Sequence, residues 1–558
     1  MIVLGLNGWN DGTHDPAAAL IIDGKIKSFV EEERLTRLRH SVSRMPTTAT
    51  AAVLDEAGIT LDDVDVVAYG WNLPQYHEAR GRSFALTSAE FIRAVTGIKH
   101  IRAMPDLAWV PHHLAHAAST YYWIPRKSAA ILVVDGCGET ESVSLFHGAG
   151  ERLRKLESWP LPCSIGLMYQ AATEYCGFQF LDAGKTMGLA AYGRSRRQLP
   201  LKWIQNGIDT EVPSASLESD VVLHWLRYFE DNYGASAPVP AGLNVIHSAD
   251  TFQKTLERHR AVQVAADAQL TLDLAVTGLV KHAIQSTGES TVCVAGGVGL
   301  NCVVNGKLHS EGIDLQLQPA PHDGGVALGA AMYVSVERGQ PVEHNGSWAL
   351  GPRFDTNRVV SLLRSLEIDS KEIDDPSDEA AKQLAEGALI GWFQGRAEVG
   401  PRALGNRSIL CSGTIPGQKI LVNTVKRREQ WRPFAPSLLQ KEVPYMFGDT
   451  LDSPYMLVSL PITEAARREY PAVIHIDGTS RPQTVEEIDD PFSNLLQCVR
   501  RITGKGIVLN TSFNGAGEPI VCNPLDAIRT FFASPLDTLF IENVIIKKSD
   551  DERRGKAI

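Results

Sequence analysis

Short apolar runs and polar turns alternate over the first thirty residues. IVLGLN at positions 2–7 predicts a strand, and GWNDGTHD after it a turn rich in Gly, Asp and Asn. AAALII at 17–22 predicts a second strand, Asp23-Gly24 a two-residue hairpin turn, and KIKSFVEE a third strand. TTATAAVLDEAG at 47–58 then takes a helical period that stops at Gly58. The order returns about 130 residues later: AAILVVD is a strand, GCGET a turn, SVSLFHG a strand, and RLRKLESWPL follows a turn at Gly148–Gly150.

Each unit therefore carries an acidic, Gly-containing loop between its first two strands. Repetition on this scale predicts a duplicated α/β core, the arrangement of the actin-like (ribonuclease-H-like) ATPase fold. A third strand-to-loop element is STVCVAGGVGLN, followed by a helix over VNGKLHSEG. A fourth loop, PAPHDGGVALGAAMYVSVERG, runs into an Ala/Gly-rich helix. QPVEHNGSWALGPRF has no period, which places a domain boundary near residue 345 and predicts domains over 1–345 and 346–558. Residues 195–260 read as an irregular insertion that shapes an acceptor pocket. The second domain alternates helical SDEAAKQLAEG with strands ALIGWFQG, GIVLNTSF and TLFIENVIIKK, so it too is α/β.

At 558 residues the chain is too long for a single core. Its net charge of −11 argues against general binding of nucleic acid or anionic membrane, so neither is expected as a partner. Eight cysteines without a C-x-x-C pair point to buried thiols in a reducing compartment. No basic segment precedes the first strand and no run nears the ~18 apolar residues of a membrane span. A cytoplasmic location is the expectation.

Four features carry chemistry. His112 and His116, in PHHLAHAAS, share one helical face and can hold a metal ion if an acidic residue from another loop completes the set. Asp323, before the double glycine of PHDGG, is the natural third ligand; Asp135 is a fourth or acts through water. Mixed N/O donors suit Fe(II), Mn(II) or Zn(II). Three Gly-rich loops, at 10–15, 135–139 and 296–301, could bring backbone N–H groups to phosphate oxygens, and a helix after such a loop adds its positive N-terminal end. Finally, between Gly391 and Pro436 eight basic residues face two acidic ones, +6 within a protein of −11. Interleaved glycines and prolines argue against a solvated helix face and for a small-anion pocket. Asn510 to Asn514 and Arg481 are further anion-site candidates.

Taken together, GTHDPAAAL, VPHHLAHAAS, VVDGCGE, DAGKTMGLAAYG, AGGVGLN, PHDGG, GPRALGNRSIL, VKRREQWRPFAPS and LNTSFN resemble the NodU/CmcH family of O-carbamoyltransferases over nearly the whole chain. The resemblance implies an actin-like N-terminal domain related to the threonylcarbamoyl-transfer subunit and a YrdC-like C-terminal domain. It implies that carbamoyl phosphate is cleaved in the C-terminal domain, that the carbamate attacks ATP to give carbamoyladenylate and pyrophosphate, and that the N-terminal site transfers the carbamoyl group to a hydroxyl of a small natural product. By motif match, His112, His116, Asp135 and Asp323 look like ligands of a divalent metal, with Fe(II) favoured and Mg(II) a companion of the nucleotide. Gly12, Thr13, Gly136, Cys137, Gly138, Lys185, Gly296, Gly297, Gly299 and Asn301 look like the nucleotide shell. Arg402, Lys426, Arg432, Arg481, Asn510 and Ser512 look like the carbamoyl phosphate pocket, Arg402 and Lys426 with a catalytic part. His14 is similar to a residue beside the acceptor and is a candidate general base, since its ordinary pKa lies near neutrality. The insertion's Trp203, Trp225, Tyr228, Phe229 and Tyr233 either suit a sugar-ring or apolar acceptor or simply pack the insertion onto its domain, and its Glu218, Asp220, Glu230 and Asp231 would equally suit an amino sugar. Rival readings fit less well. A tRNA-modifying enzyme conflicts with the charge, a sugar kinase leaves the His pair and Arg-rich segment idle, and a catalytically dead regulator would have lost motif residues that are all present.

Overall fold

The unbroken apolar run Ile2–Asn7 becomes β1, the buried centre of the first sheet. In the computed structural model, β2 (Ala17–Ile22) and β3 (Lys25–Glu31) follow as antiparallel neighbours, while β4 (Val66–Tyr69) and β5 (Asp106–Trp109) add in parallel on the other side of β1. The order is β3-β2-β1-β4-β5. The second sheet repeats this plan with β6 (Ser128–Val134), β7 (Glu141–Ala149) and β8 (Arg152–Pro160). After a separate hairpin of β9 (Leu201–Ile204) and β10 (Gly207–Thr210), β11 (Thr291–Ala295) and β12 (Asp314–Gln316) complete it in parallel on β6. Its order, β12-β11-β6-β7-β8, is that of the first sheet read from the other edge. The structure describes residues 1–548 apart from 11, 126, 205–206, 237, 240–258 and 344–345.

Each half closes with a helix after its outermost parallel strand, and each of these helices packs on the sheet of the other half. His112–Tyr121 follows β5, yet its Ala117 and Tyr121 join Ile131, Val133, Cys293 and Ala295 of β6 and β11. Val326–Glu337 follows β12, yet it lies so close on β1 that a Cβ at Gly5 would stand 2.0 Å from the Ala327 carbonyl oxygen. The two helices meet at Gly329, where a Cβ would stand 1.9 Å from the Ala115 carbonyl oxygen.

The chain forms two compact units, residues 1–32 with 41–346 and residues 33–40 with 347–558. A single cut near residue 345 misses this, because 33–40 leave the first unit; that segment is short, polar and without a period of its own. Residues 195–260 also differ from expectation. Besides the β9–β10 hairpin they hold a 16-residue helix, Glu218–Tyr233, whose Val221, Val222, Trp225 and Phe229 are buried. Trp225 and Phe229 have no exposed surface, and Trp203 packs on Gly278. These aromatics fasten the segment to its own core; 240–258 lie outside the described residues.

The second unit is built on one mixed sheet. Its strands are β13 (Lys371–Glu372), β14 (Ile390–Phe393), β15 (Arg407–Cys411), β16 (Ala435–Leu439), β19 (Gln483–Val485), β20 (Ile507–Ser512), β21 (Thr538–Ile541) and β22 (Val544–Lys547), while β17 (Leu460–Pro461) and β18 (Thr479–Ser480) pair separately. The order is β13-β22-β21-β14-β15-β20-β16-β19. TLFIENVIIKK, expected as one strand, is a hairpin that turns at Glu542-Asn543, with Glu542 at φ 46°. Helices Pro376–Ala385 and Pro491–Thr503 cover the sheet through Ala381, Leu384, Leu495 and Leu496, packed on Trp392, Leu410 and Phe540. The chain therefore combines a duplicated actin-like α/β core with a second α/β domain. No described helix is long and apolar enough to cross a membrane.

Gly329→Ala is expected to destabilise the protein by at least about 2 kcal/mol, since both contacting groups belong to packed helices. Thermal unfolding checks this; an unchanged Tm would contradict the close crossing.

Candidate functional site

The helix His112–Tyr121 starts directly after β5 and Val110-Pro111, so its first turn stands at the end of the first sheet. Helical spacing puts His112 and His116 on one face, with their Nε2 atoms 3.2 Å apart. Asp135 is the first residue after β6, and Asp323 precedes the helix Val326–Glu337. The crossing of the two closing helices brings these loops together. His112 Nε2 lies 3.3 Å from Asp135 Oδ2 and 3.6 Å from Asp323 Oδ1, and His116 Nε2 lies 3.6 and 3.5 Å from the same atoms. All four side chains are buried and offer donors within 4.8 Å of one another.

This geometry fits a divalent transition metal. Donors about 2.1 Å from an ion and tetrahedrally placed would stand about 3.4 Å apart. His112 Nδ1 faces the Gly70 carbonyl at 3.2 Å, and a carbonyl can only accept, so Nδ1 carries a proton and Nε2 is the nitrogen that an ion would engage in place of its proton. The Gly297 N–H donates to Asp135 Oδ1 at 2.8 Å and orients that carboxylate. Charge points the same way. Burial opposes ionisation of His112, but Asp323 and Asp135 outweigh it and push the imidazole up to about 10. Burial likewise opposes the Asp135 carboxylate, yet His112 and His116 hold it well below the usual range. The cluster demands positive charge at its centre, and a divalent ion would balance both carboxylates.

Two supporting residues were not legible as such. Glu139 is buried and accepts the backbone N–H of His112 at 2.9 Å and of Asn72 at 2.8 Å, so its carboxylate caps the helix that carries both histidines. His113 bonds Ser144 Oγ through Nδ1 at 2.8 Å, and burial pushes its imidazole down to about 3; it is a neutral core histidine.

A cavity of about 280 Å³ opens over Asp135 and Asp323 and is lined by Gly12, Thr13, His14, Gly136 and Cys137. His14 Nδ1 lies 2.9 Å from Asp15 Oδ2 and 3.9 Å from Asp323 Oδ2. Burial disfavours its charge, but Asp323 and Asp15 raise the imidazole to about 9. Burial also pushes the Cys137 thiol well up, so it is no thiolate nucleophile.

The other members of the expected nucleotide shell do not line this cavity. Gly138 N–H bonds the Glu141 carbonyl, Gly296 N–H that of Pro321, and Gly299 N–H that of Gly296. Asn301 caps the helix Cys302–Ser310 and donates to Gln269 at 3.0 Å. Lys185 Nζ lies 3.0 Å from Asp182 in the helix Ala183–Ala190. Asp11 lies outside the described residues.

In the second unit Lys426 is buried and donates to Ser512 Oγ at 3.1 Å and to Asn514 Oδ1 at 2.6 Å. Burial, then Arg428 and Arg432, push its ammonium well below the usual lysine range. Arg432 and Arg481 act in turn on the half-buried Arg428, with Glu429 opposing them; reading by motif had left Arg428 out of the site. Arg39, from the 33–40 segment, also acts on Lys426. Arg481 Nη1 reaches the Met456 carbonyl at 3.0 Å, and Arg432 lies 3.6 Å from Glu429. Asn510 Nδ2 bonds Ser437 Oγ at 2.9 Å and lies 3.3 Å from the Ala403 carbonyl, beside the half-buried Arg402. Arg407 belongs to the scaffold instead: it is fully buried over the Phe393 ring and donates to the carbonyls of Gln394, Gly395 and Asn406.

Residues 4–332 match a family model described as the carbamoyltransferase N-terminus, and residues 381–548 one described as the carbamoyltransferase C-terminus. Nodulation protein NolNO of Sinorhizobium fredii is 33% identical, covering 98% of this chain and 83% of its own length. Nodulation protein NolO of Bradyrhizobium diazoefficiens is 35% identical over 78% of each chain. Nodulation protein U of Rhizobium tropici is 29% identical over 91% of this chain and 90% of its own.

His116→Ala and Asp323→Asn are each expected to weaken binding of a transition metal at least about tenfold, and His113→Asn is not. Elemental analysis after dialysis against graded chelator reads this out. Equal metal retention by all three would remove the cluster as a metal site.

Proposed function

The chain belongs to this carbamoyltransferase family, and on that premise we propose that it makes carbamoyladenylate from carbamoyl phosphate and ATP and passes the carbamoyl group to a hydroxyl of a small molecule. The observation that carries the donor half is the buried Lys426 set among Arg428, Arg432 and Arg481. Glu429 and Glu518 offset these cations only in part, so the pocket keeps a net positive charge that favours an anion beside them. Carbamoyl phosphate has the right charge and size. There the C–O bond to phosphate is cleaved with water, giving carbamate and inorganic phosphate. A carbamate oxygen then attacks the α-phosphorus of ATP, and pyrophosphate leaves. Arg402 and Lys426 stabilise the charge carried by the departing phosphate. Adenylation is needed because carbamate has no leaving group better than oxide.

The transfer half belongs to the cavity beside His14. With Nδ1 tied to Asp15, His14 presents Nε2 to the acceptor hydroxyl; once Asp323 is neutralised by a divalent ion, the main cause of the raised imidazole pKa is gone and Nε2 is free to take the proton as that oxygen bonds the carbamoyl carbon. AMP leaves with the bonding electrons. A divalent metal held by His112, His116, Asp135 and Asp323, with Fe(II) preferred, would supply charge stabilisation at the carbamoyl oxygen. Burial of the cluster and the apolar walls of the cavity exclude water, which would otherwise hydrolyse the adenylate. Mg(II) accompanies the ATP phosphates. The Gly-rich loops and Lys185 form the outer shell of this site.

Purified protein given ATP, Mg(II), Fe(II) and carbamoyl phosphate is expected to release pyrophosphate only when carbamoyl phosphate is present. Lys426→Met should lower that rate by about 100-fold or more. His14→Ala should keep pyrophosphate release within about threefold while losing acceptor carbamoylation by about 100-fold. Pyrophosphate release independent of carbamoyl phosphate would overturn the adenylate route, and undiminished transfer by His14→Ala would overturn the role of His14.

A further inference from the structure

The cavity over Asp135 and Asp323 also says what kind of acceptor it takes, an inference that rests on the reading of this cavity as the transfer site. Among the described residues its lining has three carboxylates: Asp135, Asp323 and Glu218. The first two are engaged by His112 and His116, or by an ion in their place. Glu218 is engaged as well. Its Oε1 accepts from Arg80 Nη2 at 2.6 Å. Arg80 is itself held in place: its side chain is 5% exposed, its guanidinium lies 3.7 Å over the Tyr76 ring, and Nη1 donates to the Glu139 carbonyl at 2.9 Å. An ammonium ion brought into the cavity would therefore have to compete with a fixed guanidinium for the one remaining carboxylate.

The rest of the wall carries no further charge of fixed sign: its polar groups include Thr13, His14, His77 and Gln170, and Trp9, Trp71, Leu73, Leu167 and Phe180 make an apolar side. Phe180 lines the cavity, yet keeps 38% of its surface exposed. Its ring centroid stands 6.3 Å from that of His14, edge to face. An acceptor whose hydroxyl is near His14 thus has an open aromatic ring beside it. Such a ring favours the C–H face of a sugar or an aromatic system, and binding there removes apolar surface from water on both partners.

We propose that the acceptor is an uncharged hydroxylated molecule that lays a sugar or aromatic ring against Phe180, and not a polyammonium sugar. Among the acidic residues of the helix Glu218–Tyr233, only Glu218 reaches the cavity, and Arg80 has already answered its charge. Phe180 is then a specificity-determining residue with no part in the proton transfer.

Saturation-transfer NMR titrations of the full-length, metal-loaded protein test this with two probes, phenyl β-D-glucopyranoside and kanamycin. The glucoside is expected to bind, and Phe180→Ala to weaken it about three- to tenfold, with Phe180→Leu falling between. Arg80→Gln should strengthen kanamycin binding, because it releases Glu218. Three results each overturn the proposal: kanamycin binding the native protein more tightly than the glucoside, no glucoside binding at all, or equal glucoside affinity in Phe180→Ala. Thermal unfolding close to that of the native protein shows that the variants are folded, and carbamoyl-phosphate-dependent pyrophosphate release is measured on the native protein without either probe. That release separates the two levels, since its loss in the native protein counts against the adenylate reading and leaves the acceptor class to the binding data.

Discussion

The candidate site depends on one contact, the approach of Gly329 to the Ala115 carbonyl where the two closing helices cross. Each helix follows one sheet and packs on the other, so neither half can hold the site alone. The first half supplies His112 and His116, and the second supplies Asp135 and Asp323. Ala-rich and Gly-rich faces let the helices come close enough for donors from four separate chain positions to lie 3.2–3.6 Å apart. A larger residue at the crossing would separate the donor pairs before it unfolded either sheet.

Electrostatics divides the work between the units. In the first, two buried carboxylates face two imidazoles and call for a cation. In the second, a buried lysine among arginines calls for an anion. Isolated charges of either kind are costly to bury, and both clusters are stable to the extent that their partners are supplied, by protein groups or by ligands. The net charge of −11 conceals this, because the +6 is gathered in one segment around β15 and β16, with Arg407 and Lys426 buried.

Much of this was legible from residues alone. The duplicated strand-turn-strand pattern shows because β1 and β6 are buried on both sides and therefore continuously apolar. The His pair shows because i and i+4 share a helix face. Other features have no local signal. Glu218–Tyr233 escaped notice although Val221, Val222, Trp225 and Phe229 recur at helical spacing, because its aromatics were read as an acceptor surface and they belong to its core. The β21–β22 hairpin looks like one strand because its turn is only Glu542-Asn543, without glycine. Segment 33–40 leaves its sequence neighbours for the second unit, and no pattern within eight residues can reveal a partner that lies hundreds of positions away. Arg428 and Arg402 are equivalent as letters in a basic stretch; only folding shows that Arg428 is one that stands close enough to Arg432 and Lys426 to act on them.

The glycine-rich loops carry a last lesson about motif reading. Their glycines look suited to a phosphate, but several are first required by packing. A Cβ at Gly138 would stand 2.9 Å from the His113 ring, and one at Gly296 would stand 2.3 Å from the Val134 carbonyl oxygen. The Gly297 N–H already serves Asp135. The loop that resembles a phosphate cradle is thus also the brace of the Asp135 carboxylate, and Glu139, from the loop after β6, braces the histidine helix from the other side. Motif and scaffold are the same residues here. Substitutions in these loops should therefore disturb ligand geometry first, and any effect on a nucleotide would reach it through the four-donor cluster.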